Sequence, residues 1–193
     1  MLKGSKTAEN LMKSFAGECQ ARTRYTYYSS IAKKEGYVQI GNIFMETAEQ
    51  EKEHAKRFLK FLKSEYNDDT IEINTSYPVA LHEETLKNLK AAAAGEHEEW
   101  SKDYPEFARI AREEGFNEIA IAYERIAEVE SRHERRYRKL LESIESGSVF
   151  KKEEVVFWKC NNCGYIYEGN EAPKACPACL HPQGYFEVFV ENY

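Results

Sequence analysis

Two short stretches decide the fold: Glu51-Lys-Glu-His54 and Glu130-Ser-Arg-His133. In each, a histidine follows a glutamate by three residues, so on an α-helix the two side chains lie about 60° apart and point the same way. A single Glu-x-x-His on a glutamate-rich helix is ordinarily a solvated face. These two copies, however, belong to a longer internal repeat. Ile31-Ala-Lys-Lys-Glu-Gly36 matches Ile110-Ala-Arg-Glu-Glu-Gly115 at an offset of 79. The same offset carries Ile40 to Ile119, Ala48 to Ala127, Glu51 to Glu130, His54 to His133 and Arg57 to Arg136. Upstream, Ala16-Gly17-Glu18 matches Ala94-Gly95-Glu96 at an offset of 78, so a one-residue slip separates the blocks in the region of Pro105.

Around these motifs the pattern is helical. Alanine, leucine, glutamate, lysine and arginine dominate from Ser5 to Ser146, with apolar residues recurring at three and four. The expectation is a mainly α, four-helix bundle with helices over about 6–35, 38–65, 80–103 and 116–145. Gly36 and Gly115 fall at helix ends. The β-branched stretch Thr70 to Val79 makes a long connection. Pro105 should break the third helix and leave a short one over 105–114. After Gly147-Ser148 the character changes, and Val155–Trp158 and Phe186–Val190 read as strands. The expected units are therefore 1–146 and a small β-rich C-terminal unit, 147–193.

Carboxylates facing a bundle core are costly unless charge compensates them. Glu51, His54, Glu130 and His133, with Glu18 and Glu96 one from each remaining helix, make the inventory of a two-metal carboxylate bundle. Glu51 and Glu130 are placed to bridge. Such carboxylate-rich ligation suits iron or manganese better than zinc. Glu99 follows Glu96 by three residues where the other half has Ala21, so one metal has a spare carboxylate; a surface glutamate is the plain alternative.

Of five cysteines, four stand as Cys160-x-x-Cys163 and Cys176-x-x-Cys179. Two such pairs without an export signal favour a tetrahedral metal over disulfides. Spacing alone leaves a structural zinc ribbon open. Trp158, Tyr165, Tyr167 and Phe186 suit a small shell around an iron–sulfur centre. Cys19 reads as a small buried thiol.

Hydrophobic residues make up 42% of the 193, charged residues 31%, and the net charge is −6. That balance argues against nucleic-acid binding. No apolar run approaches the roughly 20 residues of a membrane span. The first ten residues lack the apolar core of a signal peptide, so a cytoplasmic protein is the expectation.

The chain resembles the rubrerythrin family across nearly its whole length. The resemblance is carried by Phe15-Ala-Gly-Glu-Cys-Gln-Ala-Arg22, Gln50-Glu-Lys-Glu-His-Ala-Lys-Arg57, Ala94-Gly-Glu-His-Glu-Glu99, Glu130-Ser-Arg-His133 and Cys176-Pro-Ala-Cys-Leu-His-Pro182. It implies a ferritin-like di-iron bundle joined to a rubredoxin-like domain, although Leu180 stands where free-standing rubredoxins usually carry glycine.

By the same resemblance, Glu18, Glu51, Glu96, Glu99, Glu130 and His133 are iron ligands, and His54 exchanges with Glu99 as one iron changes oxidation state. Tyr25 and Tyr104 match tyrosines standing behind the ligands, whereas His82, His97 and His181 read as surface or supporting residues. The implied activity is an NAD(P)H-linked peroxidase that reduces hydrogen peroxide and protects against oxidative stress. Reduced rubredoxin or an NAD(P)H-dependent reductase would be the electron donor, and the implied assembly is a head-to-tail homodimer. A ferroxidase or iron-storage protein, and a non-enzymatic metal binder with a zinc-ribbon tail, are the competing readings.

Overall fold

The computed structural model describes residues 1–192. Five α-helices come first: α1 Lys6–Lys34, α2 Val38–Tyr66, α3 Thr85–Glu98, α4 Tyr104–Glu113 and α5 Asn117–Glu145. The Ser5 side chain caps α1 by accepting from the Ala8 amide at 3.1 Å. Both predicted terminal glycines adopt left-handed geometry, Gly36 at φ 85° and Gly115 at φ 87°. The amides that follow close matching turns, Tyr37 to the Ala32 carbonyl at 2.8 Å and Phe116 to Ala111 at 2.7 Å.

Two expectations about the third helix need correction. It begins at Thr85 rather than near residue 80, with Asn88 bonded through both side-chain atoms to the His82 backbone. Nor does Pro105 break it. A π-helical turn, Glu99–Asp103, joins α3 to α4, and the Tyr104 amide donates five residues back to Glu99. The wider turn takes in one extra residue. Pro105 then sits at the start of α4, where its missing N–H is harmless. This turn is the one-residue slip of the repeat, seen as backbone.

The repeat is visible in the packing. Tyr25, Phe44 and Tyr137 form one buried aromatic trio, with ring centroids 5.2–6.0 Å apart. Their mates at the offset of 79, Tyr104, Tyr123 and Phe58, form a second at 5.0–5.7 Å. The two trios anchor separate core clusters. On α1, α2 and α5, and along α3 with α4, the acidic layer lies between the two clusters in sequence.

Beyond Gly147 the chain forms a three-stranded antiparallel sheet: β1 Lys151–Cys160, β2 Ile166–Glu171 and β3 Phe186–Val188, ordered β2-β1-β3. β2 was not expected, because Ile166-Tyr-Glu-Gly-Asn-Glu171 is mostly polar and solvent-facing. β3 is shorter than expected. Trp158 and Phe186 are fully buried and build this core with Cys160 and Cys176, whereas Tyr167 is exposed. The sheet rests on the α1–α2 turn: Tyr37 stacks on Phe150 at 6.1 Å, and Gly184 packs so closely on the Gly36 backbone that no side chain would fit there. Among the described residues no helix is long and apolar enough to cross a membrane.

Candidate metal centres

Glu18, Glu51, Glu96 and Glu130 are each at most 1% exposed, and His133 is 4% exposed. Glu51 and Glu130 turn inward, as a metal-bridging pair must. They occupy two overlapping groups whose ligand-capable atoms lie within 4.8 Å of one another: Glu18, Glu51, His54 and Glu130, and Glu51, Glu96, Glu130 and His133. Glu51 and Glu130 are common to both, which is the geometry of two adjacent ions sharing two carboxylates. Nδ1 of His54 lies 2.8 Å from Glu51 and 2.9 Å from Glu130; Nδ1 of His133 lies 2.8 Å from Glu130 and 3.2 Å from Glu51.

The protein leaves these groups unsatisfied. One or both carboxylate oxygens of Glu18, Glu51, Glu96 and Glu130, together with His133 Nδ1, are buried without a hydrogen-bond partner, so the His133 contacts are close but misaligned. Orphaned buried oxygens at such density are costly. Burial, reinforced by the neighbouring carboxylates, holds Glu18, Glu96 and Glu99 above the ordinary carboxylate range. Burial opposes charging the imidazoles, yet Glu130 and Glu51 outweigh it and push His54 up to about 10 and His133 up to about 12. Without metal, protons on the two imidazoles offset part of the carboxylates' charge. Divalent cations meet the same need, so the donor set fits a metal pair.

Behind the carboxylates stand two tyrosines. Tyr25, on α1, donates to Glu96 at 2.5 Å, and Tyr104, on α4, donates to Glu18 at 2.5 Å. They are repeat mates crossing the bundle in opposite directions. Tyr25 follows Glu18 by seven residues and Tyr104 follows Glu96 by eight, the π turn absorbing the difference. Glu99 lies outside both groups, partly buried, on the wall of a cavity of about 140 Å³.

Sequence reasoning passed over Gln50. Its Oε1 accepts from His133 Nε2 at 2.9 Å, which orients the ring and leaves Nδ1 facing the acids. The repeat offered no signal, because the position 79 residues on is Val129. Among the described residues His54 Nε2 has no corresponding partner. Cys19 is exposed rather than buried; one residue on from Glu18, it turns about 100° away from the core. His82 and His97 are at the surface, with His97 bonded to Glu134 at 3.1 Å, and His181 is half-buried.

The four tail cysteines converge as predicted. Cys160 and Cys179 sulfurs are 3.7 Å apart, as are those of Cys163 and Cys176, and all four lie within 4.8 Å. A tetrahedron with ~2.3 Å metal–sulfur bonds has edges of roughly 3.8 Å, so the sulfurs stand where a single ion would hold them. A backbone hydrogen bond from His181 is the main influence drawing the Cys179 thiol down to about 6.

The rubrerythrin family model matches residues 9–141, and the model of the rubrerythrin rubredoxin-like domain matches residues 158–187. The chain is 67% identical to rubrerythrin of Clostridium perfringens over 192 residues, covering 100% of this chain and 98% of that one. The chain belongs to the rubrerythrin family. Rubrerythrin of Nitratidesulfovibrio vulgaris is 50% identical over 192 residues, covering 100% of this chain and 98% of that protein. The solved structure of fully reduced, all-ferrous nigerythrin matches with a TM-score of 0.65 at 31% identity, covering 98% of this chain and 92% of that one. A bacterioferritin of Desulfovibrio desulfuricans shares the fold at 22% identity and a TM-score of 0.65, covering 74% of this chain and 82% of that one. Like other rubrerythrins, the chain has a ferritin-like bundle with a di-iron site and a rubredoxin-like domain whose iron site is Cys160, Cys163, Cys176 and Cys179.

Proposed function

We propose that the chain is a cytoplasmic non-haem di-iron peroxidase that reduces hydrogen peroxide to water. The observation that carries this reading is the spare carboxylate: Glu99 stands in one half of a twofold site, facing a cavity, where the other half has buried Ala21. A symmetric pair of ions needs no such group.

Iron bound at the acidic cluster would supply the two electrons that, with two protons, convert hydrogen peroxide to two waters, and iron at the cysteine site would return those electrons one at a time. The chain's own residues set the rest. Glu51 and Glu130, shared by both groups, with Glu18 and Glu96, one in each, would hold the metals, and Tyr25 and Tyr104 hold Glu96 and Glu18 by hydrogen bonds. Gln50 fixes His133. His54 has no such anchor, so it is free to exchange places with Glu99 as a ligand.

We assign the bundle to residues 1–146 and the electron-transfer unit to 147–193. Reduced rubredoxin or an NAD(P)H-dependent reductase is the proposed donor. From Tyr37, where the tail rests, to Glu51 is fourteen residues along α2, roughly 21 Å. That separation supports a head-to-tail homodimer in which each tail serves the other bundle.

Cys160→Ser provides the test. Donor-driven turnover should vanish, while the anaerobically reduced bundle still reacts with one equivalent of peroxide in stopped-flow mixing, faster than with oxygen. Loss of both reactions refutes the relay. A reaction with oxygen that outruns peroxide favours a ferroxidase instead.

A further inference from the structure

We propose that Tyr77 is the size-selecting residue at the entrance to the di-iron site, admitting hydrogen peroxide and excluding bulky organic hydroperoxides; this rests on the peroxidase reading.

The cavity beside Glu99 also has Tyr104 in its wall, the tyrosine bonded to Glu18. Four other clefts of the molecule are lined by no residue of the acidic cluster. At about 140 Å³ it holds only a few molecules the size of water, which occupies ~30 Å³. Hydrogen peroxide fits there, whereas cumene hydroperoxide does not: a cavity of about 150 Å³ takes a bare benzene ring, and this molecule adds five heavy atoms to one.

Gly17, on α1, and Gly95, on α3, both line the cavity. They are repeat mates, each directly preceding a glutamate of the cluster. Neither has a positive φ, and a methyl group at Gly95 would meet nothing within 4 Å. Glycine inside a helix is destabilising relative to alanine, so packing does not explain the pair. Open space at the cavity wall does.

The segment Thr75–Pro78, from the α2–α3 connection, also lines this space, and its Tyr77 is 36% exposed. The Tyr77 hydroxyl donates to the Lys13 carbonyl at 2.7 Å, and its ring edge lies 3.6 Å from where a Gly17 Cβ would stand. The connection from α2 to α3 has no mate in the repeat, because α1–α2 and α4–α5 join by turns of three residues. The one strap and the one unpaired carboxylate thus share a side of the bundle.

The experiment compares hydrogen peroxide with cumene hydroperoxide in full-length, iron-loaded Tyr77→Ala, Gly95→Leu and wild type, with iron content measured for each. Tyr77→Ala should raise kcat/KM for cumene hydroperoxide relative to hydrogen peroxide by about tenfold or more. Gly95→Leu should fill the passage and lower kcat/KM for hydrogen peroxide about tenfold with iron content unchanged. In the iron-loaded chain, Gly95→Ala should hold or raise Tm. A ratio unmoved by Tyr77→Ala, or a Tm lowered by Gly95→Ala, overturns the proposal while leaving peroxidase activity standing. A wild-type chain inert to both hydroperoxides overturns the proposal and the peroxidase reading together.

Discussion

Each metal centre is built from two copies of one device, and in each the copies differ at a few telling places. In the bundle, α1 and α2 are matched by α3 with α4 and by α5. The tyrosine crossing bonds, the aromatic trios and the bridging glutamates all follow the repeat. In the tail, the two cysteine knuckles close with the same bonds. Gly164 donates to Cys160 at 2.8 Å and Leu180 to Cys176 at 2.9 Å, while Cys160 and Cys176 donate to Tyr165 at 2.9 Å and His181 at 2.8 Å. Shared features hold the metals. The differences — Glu99 against Ala21, Gln50 against Val129, Leu180 against Gly164 — are where chemistry or strain departs from symmetry.

The largest effect should come from erasing the difference at Glu99. Glu99→Ala makes the bundle site symmetric, and steady-state peroxide turnover should fall about a hundredfold with two irons still bound, a loss of the size that supporting residues at metal sites produce. The check is kcat against iron content. Unchanged turnover would make Glu99 a cavity-wall residue only, and the halves functionally alike.

Tyr25→Phe and Tyr104→Phe examine what the halves share. Each leaves one terminal carboxylate without its donor, and each should weaken metal binding about tenfold, measured by competition with a chelator. Equal losses sharpen the twofold description. A loss confined to Tyr104→Phe would show that the π turn does more than restore register.

The repeat explains how much was legible in advance. The helices, the six inward-facing residues and the four cysteines follow from periodicity and spacing, because burial at i and i+3 and the tetrahedral need for two paired thiolates leave direct marks in sequence. The π turn leaves a mark too, the change of offset from 78 to 79, but the proline beside it reads as a break because proline ordinarily ends a helix. Gln50 left none: its bond to His133 joins different helices, and its repeat mate is Val129. Cys19 is exposed against expectation because composition gives only a cysteine's tendency to bury, whereas its angle from Glu18 decides the face. β2 escaped because its residues lack the alternation of a half-buried strand.

The smallest effect concerns the tail. Leu180 holds φ 61° and is 81% exposed, while Gly164 holds φ 78° in the first knuckle. A left-handed residue with a Cβ costs roughly 1–2 kcal/mol, and a glycine there gives part of that back as unfolded-state entropy. Leu180→Gly should therefore stabilise the tail by about 1 kcal/mol, and Gly164→Ala should destabilise it by a similar amount. Denaturant unfolding followed at the iron–thiolate absorption band measures both. Should Leu180→Gly destabilise instead, the exposed leucine must have an apolar partner beyond this chain, and the second knuckle departs from the first because it is a contact surface rather than only a metal clamp.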